Sequence, residues 1–390
     1  MRLAILGADE QIVELARAAI GSGRHQVVWL CELEPGSAAD KLRAIARGAQ
    51  VADGWDLLLD RDQVDAVLIA RSANEDYRAQ QLRTLVQVGM PLLVSHPVFD
   101  SMLVYYELDM IRRDTQCPMV PNLADRMHPA IQRVARAAAP SDTSPAGLEQ
   151  LIFERHMPVR SKQAVQEQFA RDVDFVRVIC GELTRVTAVA PSADESGYSN
   201  LGVQMTGPNT SVARWSVLPT TEQQWARVTL LGSAGTHVLT WHDPAGPWVV
   251  ETSSVNTKSR EELPAWDPAQ AALEQLEAAT DGRAVGADWV DAARSVELTE
   301  AVDKSLRKGR TVELYYEDYT EEGTFKGTMT SLGCGLLIIG LLAMMAVALA
   351  EQGGLVVRAW PKVLLALLGI FLALQLLMLI FPSRRKRDRV

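Results

Sequence analysis

The sequence predicts a doubly wound α/β domain over residues 1–122 and an α+β domain with an open, mainly antiparallel sheet over 123–316. A two-helix transmembrane hairpin follows. Three observations carry this. Short apolar runs alternate with amphipathic stretches at the start, the pattern of βαβ units around a parallel sheet. Strand-like runs then follow one another without helices between them, which implies antiparallel pairing. Near the end come two uncharged runs, each of the roughly 20 apolar residues that cross a bilayer.

In the first part, strands are expected over residues 2–6, 26–31, near 51, 66–70, 91–94 and 118–120. Helices are expected over 10–22, 38–49, 74–88 and 101–115. Leu3 to Leu6 is too short for a signal core and is followed by Asp9 and Glu10, so it reads as a buried first strand. In the second part, strands are expected over 148–154 and 184–190 around a helix at 162–180. Further strands are expected over 201–205, 211–217, 226–231, 236–241 and 248–251. Helices at 267–280 and 287–308 and a last strand at 311–316 complete the body. Trp215, Trp225, Trp241 and Trp248 are expected to fill the faces of the second sheet.

Residues 317–328 form an acidic, Tyr-containing linker, and 329–350 and 363–382 are assigned as membrane spans. Lys304, Arg307, Lys308, Arg310 and Lys326 precede the first span, and residues 383–390 form a basic tail. The connection between the spans carries only Arg358 and Lys362. Basic residues stay on the cytoplasmic side, so the body and tail are both expected in the cytoplasm. The tail also suits anionic lipid.

The formal net charge of -9 argues against nucleic acid as a partner, because phosphate binding needs clustered Lys and Arg. Cys31, Cys117, Cys180 and Cys334 are far apart and form no CxxC pair or disulfide framework. No HExxH, GxSxG or P-loop occurs, so no metal site is expected. His156, His237 and His242 read as packed or surface histidines.

Four segments, in order, carry a resemblance. They are Asp65 to Ala70; Gly89 to Pro97; Arg126 to Pro129; and Asp172, Val173 and Asp174 followed by Gly181 and Glu182. Together they resemble the glucose–fructose oxidoreductase and inositol dehydrogenase (Gfo/Idh/MocA) family over roughly residues 1–315. The resemblance implies a Rossmann domain, a second domain whose open sheet makes homo-oligomers, and hydride transfer between NAD(P) and a sugar- or polyol-like substrate.

On that resemblance, Gly7 is the first glycine of the dinucleotide fingerprint, and Asp9 stands where the second glycine admits pyrophosphate. A carboxylate there adds bulk and repels an anion, while suiting a helix N-terminus without ligand. Glu32 sits where an acidic residue holds the ribose and favours NAD over NADP. Ser95 and His96 replace the glutamate and lysine of the family's Glu-Lys-Pro element. Arg171 replaces the catalytic histidine, Glu167 aligns with a carboxylate upstream of it, and Asp174 matches the family aspartate. Histidine can move protons near neutral pH, whereas arginine cannot act as a base but can bind an anion. The candidate catalytic residues are therefore His96, Arg171 and Asp174, with Gly7, Glu32, Ser95 and His96 at the cofactor. Three readings stay open. One is an NAD(P)-dependent oxidoreductase-like protein with altered cofactor and catalytic motifs. Another is a non-catalytic ligand-binding or scaffold protein that recruits a partner to the membrane. The third is an active enzyme that uses His96 as its acid–base group.

Overall fold

In the computed structural model, residues 1–314 are described apart from 139–146, 191–192, 195–196, 199, 209–210, 234 and 256. The two expected membrane spans, the linker before them and the basic tail lie outside the described residues. No helix among the described residues is long and apolar enough to cross a membrane.

The chain opens with β1 (Arg2–Leu6), α1 (Glu10–Gly21), β2 (Gln26–Cys31), α2 (Ser37–Ile45), β3 (Gln50–Ala52) and β4 (Ala66–Ile69). It continues with α3 (Glu75–Gln87), β5 (Leu92–Val94), α4 (Met102–Thr115) and β6 (Met119–Pro121). These six strands form one parallel sheet in the order β3-β2-β1-β4-β5-β6. β4 and β5 are buried throughout and β1 from Leu3 onward, as expected for a sheet covered by helices on both faces. Side chains fix where the helices begin: Asp9, Asn74 and Ser101 accept backbone N–H groups in the first turns of α1, α3 and α4. β2 and β4 flank β1, so the strand order reverses there. This opens a crevice at the carboxyl ends of the strands, where open α/β sheets bind ligands.

The second part runs through α5 (Pro129–Ala138), β7 (Leu148–Met157), α6 (Lys162–Cys180) and β8 (Arg185–Val189). A short hairpin follows, β9 (Ala193–Asp194) and β10 (Gly197–Tyr198). Then come β11 (Leu201–Thr206), β12 (Val212–Pro219), β13 (Trp225–Gly232), β14 (Gly235–Trp241), β15 (Trp248–Ser253) and β16 (Lys258–Leu263). The described chain closes with α7 (Pro268–Thr280), α8 (Trp289–Lys308) and β17 (Val312–Glu313). A nine-stranded sheet has the order β16-β15-β14-β13-β7-β12-β11-β8-β17. Its neighbours are antiparallel except β7 and β12, which are parallel, so the sheet is mainly antiparallel, as expected. The exception follows from α6, whose insertion after β7 breaks the hairpin sequence.

Along β7, Leu151, Phe153, Arg155 and Met157 are buried, and the alternate residues Gln150, Ile152, Glu154 and His156 are half-buried. One face therefore packs into a core with α6 and the far half of α8, and the other is open. Trp215, Trp241 and Trp248 are buried in that core, while Trp225 stacks on His156 at 3.7 Å.

Helices from the end of the described chain complete the first core. Ala269, Ala272, Leu273 and Leu276 of α7 pack with Leu3, Ile5 and Leu68. Trp289 of α8 is fully buried, stacks on Tyr105 of α4 at 4.9 Å and donates from Nε1 to Tyr105 O at 2.9 Å. Residues 1–314 thus form one compact unit, with the first sheet's cover partly supplied by the second segment. The short hairpin of β9 and β10, α5 and β16 went unforeseen. α5 buries Ala130, Ile131 and Val134 at helical spacing, and β16 is an exposed edge strand rich in charge.

Candidate functional site

The crevice above the first sheet is built around Asp9. It precedes α1 in an extended conformation, and its Oδ1 accepts the Ile12 N–H at 2.8 Å. Its Oδ2 accepts the Arg71 N–H, just beyond β4, at 2.8 Å. One carboxylate thus caps the helix and ties the β1–α1 loop to the next strand. Burial pushes the Asp9 carboxyl up, and the hydrogen bonds from the Ile12 and Arg71 amides pull it back. The Ile12 amide, one of the positively polarised N–H groups at the helix start that would meet a phosphate, is occupied by the protein's own carboxylate.

Gly7 has φ +79, and a Cβ there would lie 2.5 Å from Arg78 Nη2. Only glycine permits both this backbone and the close approach of the α3 guanidinium. Arg78 is almost fully buried, and burial pulls its pKa down while Glu32, Glu34 and Asp9 push it up. Glu32 accepts Tyr77 Oη at 2.9 Å and Gln81 Nε2 at 2.7 Å. Glu34 accepts Ser72 Oγ at 3.0 Å. These residues do not fit a dinucleotide. The pyrophosphate would have to displace Asp9 from its amides, and the ribose would have to displace Tyr77 and Gln81. Three carboxylates against one guanidinium would repel the incoming charge.

At the end of β5, Ser95 is buried with its N–H on Ile69 O at 2.9 Å. His96 is completely buried and held by its backbone, whose N–H donates to Gln11 Oε1 (3.2 Å) while its carbonyl accepts Gln11 Nε2 (2.9 Å). Its Nε2 lies 3.4 Å from Ala170 O of α6, and its ring meets Tyr105 edge-on. Burial lowers its pKa to about 3, helped by the charges of Arg171 and Arg177. The ring is therefore neutral at ordinary pH.

The three candidate catalytic residues have separate surroundings. His96 packs against α6 and Arg171 lies on it, but Arg171 points its Nη2 to Asp125 Oδ2 at 3.2 Å. Asp174 is buried between Arg126 (3.5 Å) and Arg177 (3.3 Å), and both arginines also pair with Asp291. Burial raises Asp174 to about 7 against the pull of those arginines. Glu167 is spent on Arg71, whose Nη1 lies 3.0 Å away, while Arg71 Nη2 contacts Glu75 and Asp100.

A cleft lies between α6 and the inner face of the second sheet. It encloses ≈280 Å³ and is lined by Asp125, Arg155, Gln168, Arg171, Gln224 and Trp241, among others. Its floor is fixed by a buried cluster. Arg155 Nε donates to Asp172 Oδ2 at 2.9 Å, and its Nη2 pairs with Oδ1. Trp215 Nε1 donates to the same carboxylate at 2.9 Å and Gln168 Nε2 at 2.8 Å. Asp172 is therefore saturated, as a buried charge must be. Of the sequence candidates, only Arg171 lines this cleft. The rest of the wall was missed because Arg155 and Trp215 reach Asp172 from 17 and 43 residues away. Among the described residues, no group of three or more His, Cys, Asp or Glu is placed to hold a metal.

No protein-family model and no curated protein matches the sequence. Solved structures do match its fold. A myo-inositol dehydrogenase from Corynebacterium glutamicum superposes with a TM-score of 0.63 at 19% identity, covering 81% of this chain and 99% of its own. UDP-N-acetylglucosamine 3-dehydrogenase from Acidithiobacillus ferrooxidans gives 0.65 at 19% identity, covering 79% and 98%. A protein of gentamicin A biosynthesis, solved in complex with NAD, gives 0.66 at 19% identity, covering 81% and 97%. This chain has the Gfo/Idh/MocA-type oxidoreductase fold. At these identities the likeness is one of fold.

Burial of neutral His96 has a thermodynamic consequence. Its folded pKa lies below the unfolded value near 6.5, so the unfolded chain binds more protons between about 3 and 6.5. This stability is fully present above pH 6.5 and is lost as pH falls. In urea unfolding, wild type is expected to lose more stability than His96→Gln between pH 7.5 and pH 5 (about these values, set by the histidine reference pKa). Equal losses would show that His96 is not held neutral by burial.

Proposed function

We propose that this chain is an oxidoreductase-like protein of the NAD(P)-dependent Gfo/Idh/MocA type whose dinucleotide crevice is closed by its own side chains. Its remaining activity is to bind a sugar- or polyol-like ligand in the cleft beside α6, in a body tethered to a membrane by residues 329–350 and 363–382. The single observation that carries the reading is the Asp9 carboxylate seated on the first turn of α1 and on Arg71 N. His96 adds support, since a ring buried and neutral at ordinary pH lacks the exposure and charge of a lysine that meets substrate. Arg171 in the cleft offers only donors, so it serves to hold a ligand.

A second reading, a turning-over NAD(P)-dependent oxidoreductase, is favoured by the fold shared with the NAD complex. Titration of the full chain with NADH, followed by nicotinamide fluorescence, separates the two. The closed crevice predicts no saturation at millimolar cofactor. Asp9→Gly is expected to improve affinity by about tenfold or more, because it frees the amides and removes a like charge. Saturable micromolar binding by the wild type would overturn the reading.

The open face of the second sheet, with Trp225 and His156, supports assembly into a homo-oligomer. The uncharged runs and their basic flanks support the tether and a cytoplasm-facing body. The protein is expected to sediment with membranes after alkaline washing and to behave as a dimer by light scattering in detergent. Release by alkali would contradict the tether, and a monomer would contradict the assembly.

A further inference from the structure

We infer that the cleft beside α6 selects a single sugar ring or an open-chain polyol that carries a carboxylate, and that Arg171 reads the carboxylate. This rests on the proposed reading of the cleft as a sugar or polyol site and adds the ligand's size and charge.

Size comes from the cavity. Its ≈280 Å³ lies at the lower edge of the usual range of about 300–1,000 Å³ for small-molecule sites. One sugar ring fits such a space. The wall has an apolar element that is held rigidly: Trp241 is buried and lies parallel to Trp248 at 4.1 Å. Gln168 and Gln224, linked at 2.8 Å, and His242 supply polar contacts for hydroxyl groups.

Charge comes from the difference between two arginines. Arg155 is buried, bound through two nitrogens to Asp172 and set against Phe153 and Trp241, so its guanidinium is committed to the fold. Arg171 is about a third exposed and, among the described residues, donates one hydrogen bond, to Asp125 at 3.2 Å. Guanidinium has five donors in a fixed fork that matches a carboxylate. Asp125 stands beside it as a like charge to any incoming anion. The preference for a monoanion is therefore moderate, and a phosphate dianion is disfavoured relative to a carboxylate.

The test is calorimetric titration of the full chain in detergent, at low and high salt. The ligands are D-glucuronate and D-gluconate, their uncharged counterparts D-glucose and D-glucitol, and glucose 6-phosphate. The acids are expected to bind about tenfold more tightly than the uncharged compounds, with the gap narrowing as salt rises. Arg171→Gln is expected to erase the gap, and Arg171→Lys, which keeps charge but loses the fork, to retain part of it. A thermal midpoint for each variant checks folding, which a partly exposed side chain should leave intact. Equal affinity for acid and neutral ligands, or tighter binding of the phosphate, overturns the inference while the sugar-site reading stands. Binding of none of the five overturns both.

Discussion

The Asp9 carboxylate decides what the first domain can do. One oxygen takes the Ile12 amide at the start of α1, and the other takes the Arg71 amide beyond β4. The same carboxylate thus begins a helix and joins the two strands at the point where the sheet order reverses. In folds of this kind that point is open and electropositive, which is why phosphate settles there. Here an internal carboxylate supplies the negative charge, tethered to the helix and needing no diffusing ligand.

The neighbouring contacts follow from that choice. Arg78 rests against Gly7, and the three carboxylates Asp9, Glu32 and Glu34 surround it. Glu32 has Tyr77 and Gln81 as donors, so its acceptors are met within the protein. Arg71, whose backbone holds Asp9, extends its side chain to Glu75, Asp100 and Glu167, linking the crevice to α6. On the other side of α6, the Arg155–Asp172–Trp215 cluster holds the second cleft in shape. One helix, α6, therefore reaches the crevice of the first sheet through Glu167 and lines the cleft of the second.

Much of the fold was legible in the sequence because burial leaves local marks. β1 and β4 read as uninterrupted apolar runs because helices cover both faces of their sheet, and β7 and β13 alternate because one face is open. β16 was not legible, since KSREEL on an exposed edge carries charge that discourages further pairing and so lacks a strand's usual pattern. α5 had a signal that went unused: a leading Pro129 and apolar residues at Ala130, Ile131 and Val134. In the site, the Asp9 carboxylate at the start of α1 was visible because a cap acts over three residues. Its second partner, Arg71, lies 62 residues away and needed the folded sheet. That His96 is fully buried likewise depends on α4 and α6 closing over it, which no local pattern records.

The most direct test of the closed crevice is amide hydrogen exchange at Ile12 and Arg71 in the full chain, with and without millimolar NADH. Both amides donate to Asp9, so they should exchange slowly in the free protein and at the same rate when cofactor is present. Fast exchange in the free protein that slows on adding NADH would show an open phosphate site, and the account would be wrong.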